Sequence, residues 1–544
     1  MGERLQLWSN KLWDMHDQTK RLLSFSLGGS PSTKVGGSTT GKETARPQPG
    51  NSPKRKRTRG QSIGLWLGPI LFLLTLLFVS PEGMSEEALA VLASTLWIAT
   101  WWITEALPIP VTSLLPIILF PLTGAVEGGV TSAYADNTIF LFLGGFVVAI
   151  ALEKWNLHRR IALNILLVVG TSTNRIILGF MVATGFLSMW ISNTATAMMM
   201  MPIALSIITH VNDSLANSKE KEKNFGKAVL LAVAYSASIG GLATLIGTPP
   251  NTIFAGVVKE LYGIDISFAK WMVFGVPITI VLLFASWYYL VKIAFPMTVK
   301  ELPGGKAVIQ EQKKNLGGMS YEEKVIAVVF VATALAWITR TFILNSFLPG
   351  LDDTMIAIAA AVVLFLIPSK NSKDGRLLNW GDSKKIDWGV LLLFGGGLAI
   401  AKGFKDTGLA QWIGEQLNVL QGVQLILIIG AIALIVLFLT EITSNTATAT
   451  MMFPIMASLA LSLNVHPYAL MVAAGVSASC AFMLPVATPP NAVVFSSGQI
   501  KINDMVKAGF WINIFCVFII TLFAYYFLPI AWGIDITVFP EAFK

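Results

Sequence analysis

The chain has 544 residues, 54% hydrophobic and only 13% charged, with 39 Lys and Arg against 31 Asp and Glu, a formal charge of +8 and a mean hydropathy of +0.67. A soluble chain carries roughly 25% charged residues, so this composition excludes an ordinary soluble enzyme, and the clustering of the positive charge described below speaks for a membrane surface and against nucleic acid as a partner. Two cysteines and four scattered histidines exclude a disulfide framework or a cysteine- or histidine-rich transition-metal centre, and no GxxxxGK[ST] phosphate loop marks an ATP-driven motor.

Residues 1–60 are polar, rich in Gly, Ser, Thr and Pro from position 28 onward, and end in Lys54-Arg55-Lys56-Arg57-Thr58-Arg59. They contain no apolar core of a secretory signal. The basic run directly precedes the first apolar span, 64–80, so the positive-inside rule places it in the cytoplasm. Leu5, Trp8, Leu12, Met15 and Leu22 share one helical stripe, so 5–25 is either a membrane-surface helix or a loosely ordered tail. The acidic stretch 81–87 suits an external loop.

Apolar segments then follow almost without pause: 88–104, 107–125, 138–152, 161–170, 174–191, 195–210, 228–247, 270–295, 324–340, 354–368, 389–402, 422–440, 446–463, 467–485 and 506–532. Several fall short of the ~20 residues that cross a bilayer, or are interrupted by polar and proline-rich runs. Such segments survive at membrane depth as re-entrant hairpins and broken helices that face a cavity or are buried in protein. The basic loops 296–323 and 369–385 are placed in the cytoplasm and the tail after Trp532 outside, which requires an odd number of crossings, about eleven. The expected architecture is an all-α polytopic membrane protein. Its parts are a cytoplasmic extension (1–60), a first transmembrane helix with its external loop (61–85), a membrane repeat (86–300), a cytoplasmic loop (301–323), a second repeat (324–533) and an external tail (534–544).

The repeat rests on three landmarks. FLSMWISNTATA at 186–197 returns as FLTEITSNTATA at 438–449, 252 positions later, with eight of twelve residues identical. Ile246-Gly247-Thr248-Pro249-Pro250-Asn251 returns after 240 positions as Val486-Ala487-Thr488-Pro489-Pro490-Asn491. Upstream, Asp136 with Gly144-Gly145 matches Asp387 with Gly395-Gly396 after 251 positions. The same order at a nearly constant offset indicates a duplicated unit.

Each copy therefore carries two polar interruptions, Ser-Asn-Thr and Thr-Pro-Pro-Asn. Proline has no N–H and cannot continue a helix, so Pro249-Pro250 and Pro489-Pro490 each break one. The break frees carbonyl oxygens on one side and starts a new helix on the other. Freed carbonyls with Ser, Thr and Asn oxygens suit a small cation such as Na⁺, whereas the helix N-termini suit an anion. Paired interruptions at matching places in two halves point to a transporter binding site. A single Ser or Thr in a membrane helix usually bonds only to the preceding turn; the duplication is what favours a site. The embedded acids Glu105, Asp136, Asp387 and Glu441 are either functional or structural, since each lies near a segment end.

Paired SNT motifs, each followed by a (G/A)TPPN break, resemble the divalent anion:sodium symporter family of bacterial dicarboxylate transporters and animal di- and tricarboxylate carriers, over residues 64–540. The resemblance implies a homodimer whose protomers hold eleven crossings in two inverted repeats, with a fixed scaffold and a transport domain that moves as an elevator. By motif, a first Na⁺ site would use Ser188, Ser192, Asn193 and the Gly247 carbonyl. A second would use Thr440, Asn445, the Ala487 carbonyl and the backbone of Thr443. The substrate carboxylates would meet Asn193-Thr194 and Asn445-Thr446, with Thr248, Thr488 and Pro489 shaping the pocket.

None of these motifs contains Arg or Lys, so bound Na⁺ would supply the counter-charge for a dicarboxylate. The expected function is Na⁺-coupled uptake of a four-carbon dicarboxylate such as succinate, fumarate or malate across the plasma membrane, with no cofactor beyond the coupling ion. The alternatives are a Na⁺-independent dicarboxylate exchanger, a citrate or sulfate carrier of the same family, and a membrane sensor. No nucleophile–base pair or cofactor motif supports an enzyme.

Overall fold

A computed structural model describes residues 57–126, 128–170, 172–215, 224–297 and 305–543. The stripe within 5–25 and most of the basic run lie outside these residues. Helix α1 (Arg59–Phe78) begins where the basic run ends, with Thr58 as its N-cap in a reciprocal pairing with Gln61.

The remaining elements recur as pairs. In the first half they are α2 (Glu86–Thr104), α3 (Ile109–Leu122), α4 (Asn137–Lys154), α5 (Leu157–Val169), α6 (Thr173–Ser188), α7 (Asn193–Leu215), α8 (Phe225–Gly241), α9 (Pro249–Tyr262) and α10 (Phe268–Ala294). A short helix, α11 (Gly305–Asn315), joins the halves. The second half repeats the order as α12 (Tyr321–Phe347), α13 (Asp353–Leu366), α14 (Trp388–Asp406), α15 (Leu409–Gln416), α16 (Leu425–Thr440), α17 (Asn445–Ser462), α18 (Pro467–Ala478), α19 (Pro489–Phe495) and α20 (Ile502–Trp532). The correspondence extends to detail, since α10 and α20 each contain a π-helical turn, Leu290–Ala294 and Phe523–Phe527. Asp136 and Asp387 are the N-caps of α4 and α14, which accounts for both acids.

Among the described residues eight helices are long and apolar enough to cross a bilayer, or nine if the pair Leu409–Leu420 and Leu425–Thr440, bent by 114°, is one broken span. α3, α8, α13 and α18 are apolar but shorter. The centre belongs to the two helices that precede the Pro-Pro breaks. Every residue of α18 is buried, and so is every residue of α8 from Ala228 onward. A helix apolar on all sides belongs inside. α1 and α12 lie at the rim, where Trp66, Leu77, Val328, Leu335 and Phe342 are exposed.

The two halves are packed crosswise. α4 lies against α13, and α14 against α3. Both contacts use the Gly-Gly landmarks: a Cβ on Gly144 would come within 2.6 Å of the Ala357 Cβ, and one on Gly396 within 2.6 Å of the Ser113 carbonyl. Small residues permit such close backbone approach between membrane helices. The helices after the breaks cross in the same way, α9 on α17 and α19 on α7, with Phe254 and Phe453 rings 6.0 Å apart.

The C-terminal segment folds back over one end of this centre. Phe543 packs on Tyr262, His466 and Tyr468, at centroid distances of 4.7, 4.8 and 5.1 Å. The His466 N–H donates to the Ile536 carbonyl at 3.1 Å. On the neighbouring face the Lys270 ammonium sits over the Trp532 and Tyr468 rings, at 5.4 and 5.6 Å.

Candidate ion and substrate site

The two SNT motifs occupy tight connections between α6 and α7 and between α16 and α17. In the first, Ser188 ends α6 and its hydroxyl reaches both Asn193 Oδ1 and, at 2.6 Å, the Ala237 carbonyl of α8. In the second, Thr440 ends α16 and its hydroxyl reaches Asn445 Oδ1 at 2.8 Å and the Ala478 carbonyl of α18 at 3.0 Å. A hydroxyl has one proton to give. Each cluster therefore gathers three oxygens around one hydrogen, which leaves lone pairs in excess. Both hydroxyls are fully buried, and such a group of neutral oxygens suits a hard cation.

The loop before α9 closes onto the first cluster. A Cβ on Gly241 would lie 2.8 Å from Asn193 Oδ1 and 2.9 Å from the Gly247 carbonyl, so those two sequence-expected ligands are neighbours. Asn251 pins the loop by donating from Nδ2 to the carbonyls of Gly241 and Thr244, at 3.1 and 2.8 Å. Asn491 does the same for Ala481 and Leu484, at 3.1 and 3.0 Å. The asparagine of TPPN is thus a brace for the loop. Gly241 and Gly247 correspond to Ala481 and Ala487 in the second half.

The other expected residues take assorted places. Ser192 is exposed, and its hydroxyl accepts the Ala195 N–H at 3.3 Å at the start of α7. Thr194, Asn445 and Thr446 are partly buried in the first turns of α7 and α17, where N–H groups have no partner within the helix. Thr248 and Thr488 are buried N-caps of α9 and α19, and Thr488 uses its hydroxyl to accept the Asn491 N–H at 3.3 Å. Pro489 is exposed at the first turn of α19. The Thr443 hydroxyl lies 2.6 Å from that of Thr448. In the first half Ile191 replaces Thr443, and the hydroxyl of Thr196, the counterpart of Thr448, is buried without a partner.

From the sequence alone Glu441 is either functional or structural. Glu441 Oε1 accepts the N–H groups of Phe482 and Met483 at 2.7 and 2.9 Å and Asn513 Nδ2 at 2.6 Å, and Oε2 accepts the Leu484 N–H at 3.1 Å. The signal was present in the duplicated motif, where Glu441 is the one charged residue and stands opposite Met189.

The profile described as the sodium:sulfate symporter transmembrane region matches residues 62–532. A sodium-dependent dicarboxylate transporter, SdcS, of Staphylococcus saprophyticus is 52% identical over 484 residues, covering 88% of this chain and 93% of that protein. Its namesake in Staphylococcus aureus strain USA300 is 53% identical over 489 residues, 89% and 94% of the two chains. Solved structures share the fold at 12% identity. They are YdaH of Alcanivorax borkumensis (TM-score 0.51, covering 88% of this chain and 98% of that one) and MtrF of Neisseria gonorrhoeae (0.50, 86% and 94%). With a duplicated SNT and TPPN framework throughout the matched region, the chain belongs to the divalent anion:sodium symporter family of membrane transporters.

Proposed function

We propose that this transporter couples Na⁺ to the uptake of four-carbon dicarboxylates such as succinate, fumarate and malate. The observation that carries the reading is the pair of oxygen clusters, Ser188 with Asn193 and Thr440 with Asn445, each holding more acceptors than protons. The Gly247 and Ala487 carbonyls complete them, with Ser192 and the Thr443 backbone at their edges. The relatives at 52–53% identity are sodium-dependent dicarboxylate transporters by name, which favours a dicarboxylate over sulfate.

The first turns of α7 and α17 direct unpaired N–H groups toward the two substrate carboxylates, beside Thr194 and Thr446, while Thr248, Thr488 and Pro489 bound the pocket. The four segments that form the clusters hold no Lys or Arg. A dianion there is tolerated when cations are bound, so each ligand raises affinity for the other by the same factor. The protein acts as a plasma-membrane homodimer, N-terminus inside and C-terminus outside, with the transport domain of each protomer moving by an elevator displacement against a scaffold fixed at the dimer interface.

Replacing Asn193 or Asn445 with Ala removes an oxygen from one cluster and a contact to one carboxylate. Both variants should reach the membrane and lose Na⁺-dependent uptake of radiolabelled succinate in proteoliposomes. Wild-type rates in both variants would refute the site, and uptake unaffected by replacing Na⁺ with choline would refute the coupling.

A further inference from the structure

We infer that Glu441 is a positioning residue for the second cation site, holding in place the loop that presents the Ala487 carbonyl. The inference rests on the reading of the two oxygen clusters as cation sites. Glu441 follows Thr440 directly and is 3% exposed. Its carboxylate takes four hydrogen bonds, three of them from the consecutive N–H groups of residues 482–484. Among the described residues no Lys or Arg pairs with it.

The connection to the site is short and continuous. Leu484 donates to Glu441 Oε2, and the Leu484 carbonyl accepts both the Ala487 N–H at 3.2 Å and Asn491 Nδ2 at 3.0 Å. One carboxylate thus fixes the residue that fixes Ala487 and the brace Asn491. The same side chain leaves the backbone one residue after Thr440, whose hydroxyl faces Asn445. Glu441 therefore joins the two strands that must meet around a cation.

The first half shows why an acid is needed only once. There the loop is closed by the Gly241–Gly247 approach, by Trp271 Nε1 donating to the Leu242 carbonyl at 2.9 Å and by the Thr244 hydroxyl donating to the Met189 carbonyl at 2.6 Å. Its N–H groups at 242 and 243 bond back along the chain to Ile239 and Gly240. The second half has Ala481 and Ala487 at the positions of that glycine pair. The N–H groups at 482, 483 and 484 turn inward, and a carboxylate is the acceptor able to satisfy all three. A buried charge is costly at membrane depth, and the neutral Met189 serves in the other half. The charge is thus specific to this loop.

The test is the Na⁺ dependence of melting temperature for the purified full-length protein in detergent, with choline as the replacement cation. Glu441→Gln keeps an oxygen for Phe482, Met483 and Asn513 but turns an amide N–H against Leu484, releasing the residue that fixes Ala487. The Na⁺ concentration for half-maximal stabilisation should rise roughly 10-fold or more, the range for supports of metal ligands. Glu441→Asp keeps the charge but withdraws it by one methylene, and should shift in the same direction. A Glu441→Gln protein with wild-type Na⁺ dependence overturns the inference, including when its melting temperature in choline falls, since that is a purely structural role. A Glu441→Asp protein with wild-type Na⁺ dependence also overturns it, because charge alone then suffices. If the wild-type protein is not stabilised by Na⁺, the reading of the clusters as cation sites fails and this inference with it. A wild-type response with an unchanged Glu441→Gln response defeats the inference alone.

Discussion

Gly247→Ala is the most sensitive test of the first cluster. The added methyl would lie 2.5 Å from the Gly241 carbonyl oxygen and 2.9 Å from the Gly241 Cα, where ordinary contact begins at 3.4 Å. The two backbone segments must therefore separate by about 0.9 Å, beyond the ~0.5 Å within which a binding constellation has to be held. The atoms displaced are the Gly247 carbonyl and the loop against Asn193. Overpacking of this kind costs about 1–3 kcal/mol. If that cost falls on the cation-bound state, Na⁺ affinity drops about 5- to 140-fold, at ~1.4 kcal/mol per factor of ten. The assay is succinate uptake into proteoliposomes as a function of external Na⁺, alongside melting temperature in choline. Ala487→Gly is the mirror experiment and adds no clash. A Gly247→Ala protein with the wild-type half-saturating Na⁺ concentration would refute the claim that this glycine pair shapes the site.

Three further outcomes are expected. Asp353 Oδ1 pairs with Arg340 at 2.6 Å and its Oδ2 accepts the Phe268 N–H at 2.7 Å at the start of α10; Asp353→Ala leaves Arg340 unpaired and should cost about 3 kcal/mol in urea or thermal unfolding, part of it recovered in the Arg340→Ala, Asp353→Ala double variant. Thr443→Ile copies the first half and orphans the Thr448 hydroxyl, costing about 1–3 kcal/mol, whereas Ile191→Thr gives Thr196 a partner and should raise the melting temperature. Burial, and then the nearby Lys270 charge, lower the His466 pKa to about 4, and its Nδ1 accepts the Tyr468 N–H at 3.2 Å, as only the neutral ring can. Between pH 6.5 and 4 the unfolded chain is the first to take up the proton, so stability falls as pH drops through that window; the loss in melting temperature should be smaller in His466→Asn, and an equal loss would refute it.

The breaks were legible because proline lacks an N–H wherever it stands and because comparing the halves separated motif from background. The helices α9 and α19 follow from the same argument. The Gly-Gly landmarks were visible as a repeat, but their use was not, since the residues they admit, Ala357 and Ser113, are more than 200 positions away in one case and more than 280 in the other. α11 lies where charge spacing suggested only a loop. Its buried Val308 and Ile309 pack toward α5 and α7, a tertiary compensation that composition does not display. In the candidate site the residue types were evident and the division of labour was not: Asn251 and Asn491 brace loops, and Glu441 gathers three N–H groups, relations that depend on how the chain returns upon itself.

The crosswise packing has a consequence for biogenesis. α7 meets α19, which is synthesised nearly 300 residues later. At roughly 5–20 residues per second, the early half waits about 15–60 s in the bilayer with this face of α7 unclaimed, and α9 waits about 10–40 s for α17. A prematurely terminated chain would keep those faces open permanently, so quality-control proteases have a physical mark by which to distinguish half a transporter from a finished one.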